Sequence, residues 1–126
     1  MKLHETFAVL RPDLSVGTIA VTPTIYEELD AAFNQFRSHV LIASFEFERD
    51  WETWERHPAG DEIVILVSGA ATLKLRKPSG DEAVELREPG AFIIIPRNTW
   101  HTAEIGQKTR MIFVTPGEAT ENRADI

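Results

Sequence analysis

Residues 54–69 read WERHPAGDEIVILVSG: a short charged run, a turn built on Pro58 and Gly60, an apolar run from Ile63 to Val67, and a closing glycine. A second stretch, GAFIIIPRNTWHTAEI at residues 90–105, places an apolar run before Pro96 and then His101. Residues two apart on a strand face the same side, so Glu55 and His57 point the same way across about 7 Å of backbone rise. His101 can meet them from another strand, and the turn at 58–61 can swing the Glu62 carboxylate back toward the same point. Four side chains, Glu55, His57, Glu62 and His101, are therefore the candidate ligands of one metal ion. Two imidazoles with one or two carboxylates suit a divalent transition metal: Zn, Fe, Mn, Ni or Co.

Outward from these stretches the chain is dominated by short strands. Residues 6–10 and 16–21 are β-prone runs separated by a turn around Pro12. Thr24 is a candidate cap for one amphipathic helix over about 24–36, along which Ile25, Leu29, Phe33 and Phe36 recur at helical spacing. From Ser38 the period changes to two. Leu41, Ala43, Phe45 and Phe47 share one face of a long strand, and Ile42, Ser44, Glu46 and Glu48 share the other.

Residues 63–67 and 91–95 are apolar on both faces, so the reading is that both faces are covered, by the helix or by a second subunit. ATLKLR at 71–76 alternates, with Leu73 and Leu75 inward; the turn KPSGDE follows, and AVELR alternates again. TWHTAEI and TRMIFVTP supply two more strands around Gly106, and the polar tail 116–126 is expected to be loose. Many short strands and one N-terminal helix define an all-β barrel or sandwich.

The chain of 126 residues suits one domain, 1–126, with a barrel core at about 38–115 and N-terminal strands and helix in 1–37. Hydrophobic residues at 43% and charged residues at 26% are those of a globular protein. A net charge of -7 argues against nucleic acid and anionic membranes as partners. The absence of cysteine restricts any metal site to imidazole and carboxylate. The start, MKLHETFAVLRPD, holds no apolar run of signal-peptide length and nothing approaches a membrane span, so a cytoplasmic location is expected.

The spacing of these residues resembles the cupin family of small jelly-roll β-barrels. That family's first motif has two histidines one residue apart, a glutamate three or four residues later, and a glycine after six more. Here His57, Glu62 and Gly69 stand at those intervals, and Glu55 replaces the first histidine. The second motif matches at Gly90, Pro96 and His101, with Asn98 in place of a glycine and Ile105 in place of an asparagine. Asn98 tolerates the left-handed backbone that a glycine often serves.

The resemblance implies a cupin-type jelly roll, metal ligation by His57, Glu62 and His101, and a homodimer. Glu55 as a ligand would offset a divalent charge fully; turned away, it leaves the open two-histidine, one-carboxylate arrangement of non-haem Fe(II) dioxygenases. A carboxylate pair in an apolar barrel also pushes one pKa upward, which makes Glu55 a candidate catalytic acid or base. The expected function is a metal-binding small-molecule cupin, acting as an enzyme on an oxygen-containing organic substrate or as a non-catalytic binding or sensor module. His4 and His39 fall outside both motifs and are read as surface or structural. Trp54 and Trp100 each precede a candidate ligand, so alternation turns them to the opposite face. Phe45 and Phe47 point inward, as core or as pocket lining.

Overall fold

The computed structural model describes all of residues 1–126 as two antiparallel sheets with one short helix. In chain order the elements are β1 (Thr6–Leu10), β2 (Val16–Ala20), α1 (Ile25–Ala32), β3 (Val40–Phe47), β4 (Trp54–Arg56), β5 (Glu62–Ser68), β6 (Ala71–Lys77), β7 (Gly80–Leu86), β8 (Phe92–Ile95), β9 (His101–Ile105), β10 (Thr109–Thr115) and β11 (Glu121–Arg123). One sheet runs β2-β1-β3-β10-β5-β8 and the other β11-β4-β9-β6-β7. Neighbours in the sheets are mostly distant in sequence, which is the jelly-roll signature.

Between the sheets lies a core in which Val64 and Leu66 of β5 meet Leu73 and Leu75 of β6, Ile93 and Ile95 of β8, Ala103 and Ile105 of β9, and Met111 and Phe113 of β10. Each strand contributes alternate residues, as the period of two requires. The inward row predicted for Leu73 and Leu75 is fully buried. A second cluster joins α1 to the N-terminal strands: Ile25, Leu29, Phe33 and Phe36 pack on Phe7, Val9, Leu41 and Ala43.

The helix is shorter than the 24–36 span that its apolar spacing suggests. It ends at Ala32, and Asn34, Gln35 and Phe36 follow with φ of 53°, 55° and 60°, a left-handed turn. That turn still delivers Phe36 to the core, so the apolar spacing is kept while the helix is not. Thr24 sits at the N-cap position without capping the backbone; its hydroxyl donates to Glu28 Oε2 at 2.9 Å instead. Asp81 and Glu82, read as part of a turn, pair with Arg76 and Leu75 and belong to β7.

Two further expectations are corrected. Of the two covers expected for the outer faces of β5 and β8, the helix does not supply one: Phe92, Ile94 and Val67 are 60%, 55% and 38% exposed within the chain, because α1 packs on the other end of the sheet. The C-terminal tail is not loose either. β11 pairs antiparallel with β4 (Glu121↔Arg56, Asn122↔Glu55, Arg123↔Trp54), and Arg56 Nη2 donates to both Glu121 carboxylate oxygens at 2.9 and 2.8 Å. Arg123 and Arg56 lie over the Trp100 ring at 5.5 and 4.6 Å, and Arg76 over Trp54 at 4.7 Å, so both tryptophans face outward as alternation requires. No helix is long and apolar enough to cross a membrane.

Candidate metal centre

The four candidate ligands come together at one end of the space between the sheets. Glu55 on β4 stands directly opposite His101 on β9. His57 lies two residues beyond Glu55, and Glu62 opens β5 in the facing sheet. The two stretches are clipped together by backbone. Asn98 N–H donates to the His57 carbonyl at 3.2 Å, and Arg97 N–H donates to Asp61 Oδ1 at 2.8 Å. Asn98 has φ 61°, the left-handed conformation anticipated for it, and this turns the chain after Pro96 so that His101 enters the site.

At Gly69 the reason for glycine is steric as well. Its φ is +84°, and a Cβ there would stand 2.4 Å from the Lys108 carbonyl oxygen. The β5–β6 turn can close onto β10 only without a side chain.

The donor atoms are closely spaced. His101 Nε2 is 3.1 Å from Glu62 Oε1, His57 Nε2 is 3.3 Å from Glu62 Oε2, and both nitrogens are 3.9 Å from Glu55 Oε2. Nitrogen and oxygen ligands about 2.0–2.2 Å from one ion stand about 3 to 3.5 Å apart from each other; Glu62 meets the two histidines through different oxygens, whereas one Glu55 oxygen lies 3.9 Å from both. Donor atoms of Glu55, His57 and His101 all fall within 4.8 Å of one another, a group able to hold a metal ion. His57, Glu62 and His101 are 5%, 2% and 0% exposed, whereas the Glu55 side chain is 32% exposed.

The histidines are oriented by their far nitrogens. His101 Nδ1–H donates to the Thr99 carbonyl at 3.0 Å. Thr120 Oγ1 gives its hydrogen to the Gly117 carbonyl at 2.9 Å, so toward His57 Nδ1, 2.9 Å away, it acts as an acceptor. Both rings therefore carry hydrogen on Nδ1, and in the neutral state both Nε2 lone pairs face the cluster. With the ring hydrogens on Nδ1, neither neutral Nε2 can donate to the Glu62 oxygens beside it, and His57 Nε2, His101 Nε2 and Glu62 Oε1 are buried without a partner. Buried polar atoms are rarely left so, and two lone pairs with a carboxylate oxygen converging on one point fit a divalent cation.

The carboxylates differ in acidity. Burial alone would raise the Glu62 pKa, but the His101 and His57 imidazoles beside it outweigh that and hold it at about 2. Thr115 Oγ1 also donates to Glu62 Oε2 at 2.5 Å. Glu55 moves the other way: burial and the Glu62 charge raise it, against the opposing pull of the two histidines. For His101, burial lowers the pKa, while Glu62 and the Thr99 carbonyl raise it by more. Their surroundings thus move the two carboxylates in opposite directions.

The cluster opens into a cavity of about 1120 Å³ lined by Phe45, Phe47, Trp51 and Phe113 on its apolar side. Phe45 and Phe47 are pocket lining as well as packing. The remaining histidines are structural or peripheral: His39 packs between Phe33 and Phe36, with Nδ1 against the Arg37 carbonyl at 2.7 Å, and His4 is exposed beside Glu5. Three neighbours of the site were not singled out by the sequence reading. Thr115 ends the inward row Thr109, Met111, Phe113, Thr115, a polar residue closing an apolar period that could have drawn notice. Thr120 and Trp51 lie in irregular segments and carry no periodic signal.

No family model and no curated protein sequence matches the chain. Solved structures do. An oxalate oxidase superimposes with TM-score 0.55 at 18% identity, covering 64% of this chain and 44% of that one. A cupin superfamily protein from Desulfitobacterium hafniense gives 0.50 at 22%, covering 60% and 65%. The hydroxypropylphosphonic acid epoxidase from S. wedmorenis, in complex with fosfomycin, gives 0.51 at 15%, covering 60% and 43%. This chain thus matches less than half the length of the oxidase and epoxidase chains. The fold that the sequence motifs and these neighbours share is the cupin jelly roll.

Proposed function

We propose that this cupin binds one divalent transition ion through His57, His101, Glu62 and Glu55, and acts as a metal-dependent enzyme on an oxygen-containing small molecule in the adjoining cavity. The observation that carries the reading is the pair of buried, partnerless Nε2 atoms, each aimed into the cluster by a hydrogen bond at its Nδ1. The ion would supply Lewis acidity toward a substrate oxygen. The chain's own residues do the rest. Thr99 and Thr120 hold the imidazoles, Thr115 holds Glu62, and the aromatic wall excludes water from one side of the cavity. Glu55, the most exposed of the four, is the ligand free to swing off the ion and exchange a proton with the substrate.

Protein purified without chelator should carry a transition metal near one per chain, and His57→Ala and His101→Ala should each lose it while keeping a folded circular-dichroism spectrum. Absence of metal from the native protein, or unchanged content in both variants, would overturn the reading. The exposed Phe92, Ile94 and Val67 on one sheet face support a homodimer closed over β5 and β8, since contiguous apolar surface of this kind marks an interface.

A further inference from the structure

The charge around the cavity points to what enters it. Its mouth is formed by α1 and the β3–β4 loop, which bring Asp30, Glu48, Asp50 and Glu52 to the rim against a single cation, Arg49. Asp30, Glu48 and Glu52 make no salt bridge or side-chain hydrogen bond, and Asp50 accepts only the Ile105 N–H, at 2.6 Å. Glu46, also on the lining, is different: Lys108 and Arg110 neutralise it at 3.4 and 3.0 Å. At the floor stand Glu55 and Glu62. Even with a divalent ion bound between them, the cavity as a whole stays negative.

A group of carboxylates alone defines no ligand, but two further observations do. First, His57 Nε2, on a side chain 95% buried, is partnerless and aimed into the cavity floor, where an ion held by it would meet one end of the ligand. Second, the wall between floor and rim is aromatic. The Phe47 and Trp51 rings are 5.5 Å apart, and Phe113 lies 6.0 and 5.9 Å from them, with Trp51 turned edge-on to His101 at 6.2 Å. Trp51 Nε1 is a buried donor with no partner. With an ion held at the floor, the cavity would offer from floor to rim a cation and the Trp51 donor for an oxygen, a wall for an apolar body, and unpaired carboxylates for a positive charge.

We propose that the cavity selects a small organic molecule bearing a protonated amine. Its oxygen lies at the metal end, its apolar body lies against Phe47, Trp51 and Phe113, and its ammonium is at the acidic rim. This deepens the metal-dependent reading and rests on it. It also sets the site apart from small carboxylate ligands, such as the glycolate bound by an oxalate oxidase among the structural neighbours, because the carboxylates of this rim repel anions.

The test uses zinc-loaded full chain and three probes with the same oxygen-donor head: dopamine, neutral 4-methylcatechol and 3,4-dihydroxyphenylacetate. Calorimetry at low ionic strength should give dopamine at least about tenfold tighter binding than the acid, with the neutral catechol between them. The ratio should shrink several-fold in high salt and in the double variant Glu48→Gln, Glu52→Gln. Equal affinities, or tighter binding of the acid, would overturn the amine assignment while leaving the metal reading intact. Failure of the chain to take up zinc would overturn the metal reading, and the amine assignment with it; failure of all three probes to bind the zinc-loaded chain would overturn the amine assignment alone.

Discussion

Replacing Thr120 with valine should weaken metal binding without touching any ligand. The hydroxyl accepts His57 Nδ1–H at 2.9 Å while donating to the Gly117 carbonyl at 2.9 Å, so its acceptor role is fixed by its donor role. Valine keeps the shape and removes the acceptor. His57 is 5% exposed, so no water replaces the lost partner at little cost. An imidazole N–H left buried and unsatisfied costs about 1–3 kcal/mol. The ring can avoid that cost by moving its hydrogen to Nε2, and then it has no lone pair for an ion. Either route falls on the metal-binding state.

Partners of ligating histidines are worth about 10- to 100-fold in metal affinity, which is about 1.4–2.7 kcal/mol. Competition with a chromophoric chelator reads this directly. Thr120→Val should bind zinc about 10- to 100-fold more weakly, and Thr120→Ser, which keeps the oxygen, should stay close to the parent. Unchanged affinity in the valine variant would refute the tautomer argument. Equal loss in the serine variant would refute it too, since packing of the methyl group would then be the cause.

Other consequences follow from the same geometry. Metal affinity should fall on acidification beginning above pH 6.5, the ordinary histidine value, because the raised His101 pKa lets a proton compete for Nε2 earlier; chelator competition from pH 5 to 8 checks this. In the presence of a chelator the sign for stability differs between the partners. His101, raised, stabilises below 6.5 and less as pH climbs through its folded value, whereas Glu62, lowered from 4.5 to about 2, stabilises above 4.5 and less as pH falls toward 2. Melting temperature of chelated protein should therefore peak between those limits, and a monotonic rise through pH 8 would contradict the pairing. Gly69→Ala should lose at least about 2 kcal/mol in urea unfolding, from positive φ and the clash with the Lys108 carbonyl. Phe92→Glu with Ile94→Lys should convert a dimer to a monomer in sedimentation velocity; a parent that sediments as a monomer removes the basis for that interface.

Local spacing made the convergence of the four candidate residues readable. The two motif stretches are each set by turns whose backbone demands are visible in single residues: Gly69 and Gly90 at positive φ, Asn98 at 61°, and Pro96 ending β8. Where a residue's role depends on a distant partner, the sequence is silent. Nothing in GEATENRADI marks it as a strand, because β11 is held by Arg56, Glu121 and the exposed edge of β4 rather than by apolar alternation. Apolarity on both faces of β5 and β8 likewise could not distinguish cover within the chain from an open face, since the pattern records only that water is disfavoured there. The helix failed at its end for a related reason: burial of Phe36 is compatible with a left-handed turn as well as with another helical turn.

Glu55 is where these threads meet. By sequence it is a departure from the histidine that the cupin motif places there, and by structure it is the most exposed of the four candidate ligands and the only one 3.9 Å from both imidazole nitrogens. Its backbone is held from two sides, by His101 across β9 and Asn122 across β11, so the carboxylate can move only by rotation about its own side chain. A carboxylate in this place removes one unit of positive charge from the site relative to a neutral imidazole, and the rim adds more negative charge above it. With an ion bound as proposed, a site of low net charge under an acidic mouth would be poorly built to collect anions and well built to accept a cationic substrate. The same substitution that departs from the cupin motif therefore works in the direction of the charge preference that the acidic rim is proposed to set.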